Sequence, residues 1–117
     1  MVTNLQSKPT LPDRIRDLVG FKKQAYDKCA ERKNLGEEFK LLDAGTIVGL
    51  TETHLRDEWK DKVLIGHRAS LDPASKRINY TTERLAIARV LIDLVVQGEN
   101  LQKTKGIMTE LYGVQFP

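Results

Sequence analysis

Apolar residues return every three or four positions along most of this chain, with polar residues filling the gaps. That spacing marks amphipathic helices, because a strand would alternate every two residues, and no stretch here sustains such an alternation. Ile15, Leu18, Val19, Ala25, Tyr26, Cys29 and Ala30 form the first helical stripe, over residues 10–33. Thr10 stands three residues before Asp13 in a capping-box variant, and Pro12 falls in the first turn, where a missing N–H is least costly. "NLG" at 34–36 ends that helix. A shorter one is predicted over 37–48, with Phe39, Leu42 and Ile47 inward and Gly45 in its interior. "GLTET" at 49–53 breaks the chain. A third helix over 52–65 then sets Leu55, Trp59 and Val63 on one face.

The polar run "GHRASLDPASKRIN" at 66–79 predicts a surface loop around Gly66 and Pro73, and "KRINYTT" at 76–82 adds some strand character. Thr81 opens the clearest helix, which runs to Gln97 and closes at Gly98, with Tyr80 and Leu85 placed as a hydrophobic staple across its cap. Leu85, Ala88, Leu91, Ile92 and Val95 share one face of it, but Ile87, Val90 and Leu94 make the other side apolar too. A helix apolar on nearly all sides is either central to a core or shared with a partner, and a homodimer through this helix, from Thr81 to Gln97, is one of the two expectations. A last helix over 101–112 places Leu101, Met108, Leu111 and Tyr112 inward before Gly113. The expected fold is all-α, a single compact domain of about five helices over 10–117 behind a flexible arm of residues 1–9. Its expected core contains Leu18, Tyr26, Phe39, Leu55, Trp59, Leu91 and Val95.

With 117 residues the chain can bury one core unaided, and 40% hydrophobic against 30% charged residues excludes wholesale disorder. The longest apolar run, "LAIARVLIDLVV", is interrupted by Arg89 and Asp93 and is too short to span a bilayer. The opening residues lack the pattern of a signal peptide, and Cys29 has no second cysteine to pair with. A cytoplasmic protein is therefore expected, with Cys29 as a small buried hydrophobe.

A net charge of +3 permits contact with nucleic acid without requiring it. The distribution matters more than the total. Lys22, Lys23, Lys28, Arg32, Lys33 and Lys40 crowd one stretch, and Lys62, Arg68, Lys76 and Arg77 another. Between them, residues 41–60 carry Asp43, Glu52, Asp57 and Glu58 against Arg56 and Lys60.

That more acidic stretch holds "AGTIVGLTETHLRDEW" at 44–59. Two helices that cross closely need a small residue in the first, a glycine opening the turn, apolar flanks and inward anchors in the second. Ala44 and Gly45, then Gly49 between Val48 and Leu50, then Leu55 and Trp59 supply these in order, and Thr51 or Thr53 can cap the second helix. The stretch resembles the helix-turn-helix of bacterial response-regulator output domains and of the promoter-reading region of sigma factors, over about nineteen residues. In those families a glycine or apolar residue is likewise followed by a Ser/Thr-Glu start and an apolar anchor. Residues 11–33 would stand for the helix that the families place before the motif, here across a glycine break. The resemblance implies a small DNA-binding regulator that reads paired half-sites as a dimer. It places Thr51, Thr53, His54, Arg56 and Lys60 toward the groove or the phosphates. Arg56 can donate two hydrogen bonds to a guanine edge, while the threonines and Lys60 suit phosphates. Lys62, Arg68 and Arg77 follow the reading helix and can grip the adjacent backbone. Glu52, Asp57 and Glu58 repel phosphates unless each is paired or reads a cytosine amino group.

A second reading stays open: a helical adaptor or inhibitor, without DNA-binding or catalytic activity, that binds a protein through the 81–97 helix or the basic face of the first helix. No enzyme is expected, since the chain has no phosphate-cradling glycine loop and no Ser/His/Asp or Cys/His set at recognisable spacing. His54 and Glu58 lie one turn apart but have no further ligand at a suitable spacing, so neither a metal nor another cofactor is expected. Asp57 and Asp61, beside Arg56, Lys60 and Lys62, fit solvent-exposed ion pairs.

Overall fold

In the computed structural model, which describes residues 9–60 and 80–116, the helices begin and end where side chains or backbone turns satisfy their free polar groups. Thr10 caps α1, Leu11–Arg32, its hydroxyl accepting from the Asp13 N–H at 3.3 Å. At the far end Asn34 adopts φ 56°, and the Leu35 N–H returns to the Ala30 carbonyl at 2.9 Å. Asparagine is one of the few residues other than glycine that adopt this left-handed geometry readily.

α2 spans Leu41–Val48, a later start than the predicted 37. The cause is a long-range pairing. Phe39 donates its N–H to the Tyr80 carbonyl at 2.9 Å and accepts from the Tyr80 N–H at 2.7 Å, so its backbone groups are not available to a helix. This isolated bridge is also where the strand character of "KRINYTT" is used, and the described residues contain no strand. α3, Glu52–His54, continues directly into a π-helical segment, Leu55–Lys60. The rest of the predicted third helix, with Val63, and the predicted 66–79 loop lie outside the described residues.

α4 spans Thr82–Val96 and is capped by Thr81, which accepts from the Arg84 N–H at 3.2 Å, while Tyr80 and Leu85 are both buried as a staple requires. The Glu99 N–H then returns to the Leu94 carbonyl at 2.9 Å across Gly98, whose φ of 109° suits only glycine. α5, Leu101–Tyr112, is capped by Asn100 and ends at the left-handed Gly113.

The principal packing is α1 against α4, which run antiparallel. An Arg14–Glu99 ion pair at 3.1 Å ties one end, and a hydrogen bond from the Thr82 hydroxyl to Asp27 ties the other. Of the expected core, Tyr26, Phe39, Leu55, Trp59 and Leu91 are buried. Leu18 is not. The α1 face turned inward carries Ile15, Val19, Tyr26 and Ala30, which leaves Leu18 on the outer edge at 39% exposure. Val95 and Cys29 are half-buried at the margin of the core. Leu42 is exposed because it stands five residues before the buried Ile47, about 140° around a helix of 3.6 residues per turn. Leu101 lies in the opening turn of α5 and stays partly exposed, while Thr104 and Met108 form that helix's buried face. The Thr104 hydroxyl can be buried because it donates to the Asn100 carbonyl at 2.7 Å.

α4 packs against both α1 and α5, and Ile87, Val90 and Leu94 are as buried as Leu85 and Leu91. Its second apolar face is therefore internal. Of the two expectations for this helix, the structure places its Ile87, Val90 and Leu94 side in the core. None of the described helices is long and apolar enough to cross a membrane.

Candidate nucleic-acid interface

Gly45 decides the geometry of residues 44–59. Its carbonyl accepts from the N–H of Gly49 at 2.8 Å and of Leu50 at 2.9 Å, folding the chain sharply back at the end of α2. Gly49 carries the left-handed turn, with φ 79°. A Cβ on Gly45 would stand 2.6 Å from the Leu50 carbonyl oxygen and 3.2 Å from Leu55 Cδ1. α3 and the turn thus sit directly on the glycine's open side. Ala44 and Ile47 of α2 and Leu55 and Trp59 of the following helix are buried, so both arms of the corner are anchored in the same core.

The opposite side of the second arm faces solvent. Thr51, Thr53, His54 and Arg56 are all exposed there. The Thr51 hydroxyl already accepts from the His54 N–H at 3.1 Å, so its first role is the helix cap. Arg56 is held too. Its Nη2 donates to Glu52 Oε1 at 2.9 Å, an i,i+4 pair whose side chains are both nearly half exposed. Such surface pairs contribute only about 0–1 kcal/mol, and a guanidinium has five donors, so this contact neither locks Arg56 nor exhausts it. Asp57 is exposed beside it, which leaves the described side chains of this arm net acidic. Lys60 ends the π-helical segment; its side chain, like Lys62, Arg68 and Arg77, lies outside the described residues.

Elsewhere, two further arrangements stand out in the structure. A shallow groove between the end of α1 and the start of α4 is lined by Lys23, Asp27, Glu31, Glu37, Thr82 and Glu83. Burial works to raise the Asp27 pKa, but hydrogen bonds from Lys23 and Thr82 outweigh it and hold the carboxyl below its usual value. The Lys23 ammonium, hydrogen-bonded to Asp27 at 2.8 Å, is raised in turn. This cluster joins two helices. Among the described residues no three His, Cys, Asp or Glu side chains gather as metal ligands would. The second arrangement is an apolar line on the outer face of α1, where Phe21 is 73% exposed beside Leu18.

No protein-family model matches this chain, and no curated protein or solved structure matches it. The likeness of residues 44–59 to response-regulator and sigma-factor motifs rests on its own residues.

Proposed function

We propose that this chain is a small DNA-binding protein of regulator type that contacts the duplex with the exposed face of α3 and its π-helical continuation. The observation that carries the reading is the close contact at Gly45, where the turn and second arm lie on a residue that must lack a side chain. The spelling shared with DNA-reading helix-turn-helix motifs includes this position and the left-handed Gly49. Leu55 and Trp59 anchor the arm from beneath, so Thr53, His54 and Arg56 project from a backbone fixed at both ends. A rigid element is what base reading needs.

Binding would exchange one ion pair for another. A phosphate or a guanine edge takes the place of Glu52 on Arg56, and the small worth of the surface pair makes that exchange easy. Glu52 and Asp57 oppose the approach, so affinity depends on Lys60, Lys62 and Arg68 offsetting them.

Titrating a labelled mixed-sequence duplex by fluorescence anisotropy at about 50 mM and 200 mM salt tests the electrostatic part, since several phosphate contacts produce a steep loss of affinity. Arg56→Ala should weaken binding by about 1–3 kcal/mol and relax sequence preference, whereas Lys60→Ala should weaken all sequences alike. Asp57→Asn should tighten non-specific binding. Failure to bind a random duplex pool at the lower salt would reject the reading in favour of a protein-binding adaptor. Binding that ignores both Arg56 and Lys60 would keep DNA as the ligand and move the surface.

A further inference from the structure

We infer that Glu52 sets the base preference of the reading arm, by steering Arg56 to guanine–cytosine pairs and away from phosphates. This rests on the DNA reading above and adds to it which base pairs are read. Arg56 Nη2 donates to Glu52 Oε1 at 2.9 Å, and both side chains are nearly half exposed. The two residues stand one helical turn apart, on the same edge of the arm. Among the described residues, that carboxylate has no other ion-pair partner.

When a duplex takes Arg56, the Glu52 carboxylate loses its partner while it faces a polyanion. A carboxylate only accepts hydrogen bonds, so it needs a donor in exchange. A phosphate offers none, and Glu52 therefore works against non-specific contacts. The major-groove edge of a G·C pair carries two acceptors, guanine N7 and O6, and then one donor, the cytosine amino group. Arg56 takes both acceptors and Glu52 the donor, so every group displaced is paired again. An A·T pair fits worse. Its one donor, the adenine amino group, lies between adenine N7 and thymine O4, two acceptors that repel a carboxylate from both sides.

Asp57 supplies a comparison on the same arm. It is exposed and has no ion-pair partner among the described residues. Its charge opposes every duplex alike, whereas the charge of Glu52 is tied to the guanidinium that reads bases.

Fluorescence anisotropy with alternating G·C, I·C and A·T duplexes at about 50 mM salt tests this. Inosine keeps the guanine O6 and N7 but lacks the minor-groove amino group, so it isolates the major-groove edge. The unmodified chain should bind the G·C and I·C duplexes alike, both at least about tenfold tighter than A·T. In Glu52→Gln the neutral amide no longer penalises A·T pairs, so that duplex should bind tighter and the preference should fall severalfold. Asp57→Asn removes the same charge and should tighten all three duplexes alike, leaving the preference intact. Both variants should keep the parent's circular dichroism spectrum and urea midpoint, since both side chains are exposed. Equal binding of G·C and A·T by the unmodified chain overturns the inference, and so does a Glu52→Gln preference equal to the parent's. A preference for G·C that I·C does not share comes from the minor groove and overturns it too. In these three cases DNA remains the ligand. Binding to none of the duplexes overturns the DNA reading itself, and the inference with it.

Discussion

Gly45→Ala should destabilise the protein by about 1–2 kcal/mol, while the same replacement at Gly20 should stabilise it by about 0.5–1 kcal/mol. Both glycines are interior to helices, where alanine is the better helix former by up to about 1 kcal/mol. Gly20 is exposed on α1 with nothing within 4 Å of an added Cβ, so it yields that gain undiminished. At Gly45 the added carbon would meet the Leu50 carbonyl oxygen at 2.6 Å. That atom belongs to the backbone and cannot turn aside; relief requires the turn at 49–51 to move and with it α3. Leu55 Cδ1, at 3.2 Å, is a side-chain end and can yield. Overpacking of this kind costs about 1–3 kcal/mol or more, which exceeds the helix gain. Gly45→Val adds two further carbons to the same gap and should lose about 3 kcal/mol. Urea unfolding of the three variants beside the parent chain measures all of these. A Gly45→Ala variant as stable as Gly20→Ala would mean that α3 does not sit on α2 in this way, and the proposal that this corner reads DNA would lose its main support.

The sequence discloses what is encoded within a few residues and conceals what depends on distant ones. Thr10, Thr81 and Gly98 mark helix ends because a cap and its partner lie three or four residues apart. The left-handed turn at Gly49 and the need for a small residue near 45 are legible for the same reason. Phe39 is misplaced on a helix because its partner, Tyr80, is far away in the chain and neither residue sits in an alternating run. Leu18 is misplaced in the core because periodicity locates an apolar stripe but not the width of the neighbour that covers it. α4 shows the converse, since an all-apolar helix has the same spelling whether its second face meets α5 or another molecule. At the candidate site the Glu52–Arg56 pair was open to view in the i,i+4 spacing. The structure supplies the pairing that Glu52 needs, on Arg56 itself.

Leu94→Asp should unfold most of the protein at room temperature, and Ile87→Asp should do the same. Both side chains are fully buried in the single chain. Each substitution removes a large apolar group and leaves a carboxylate without a partner in the core, two of the few mechanisms that exceed about 4 kcal/mol. Domains of this size hold only about 5–15 kcal/mol in total. The control lies on the same helix: Val96 is 81% exposed, so Val96→Asp should shift stability by no more than about 0.5 kcal/mol. The comparison also separates two accounts of the all-apolar helix. Were Ile87 and Leu94 a dimer seam, a charge there would yield a folded monomer with a native circular dichroism spectrum. Packed between α1 and α5, the same charge instead removes the helical signal and the cooperative thermal transition together. A Leu94→Asp chain that stays folded, with a native circular dichroism spectrum, would overturn the assignment of this face to the core.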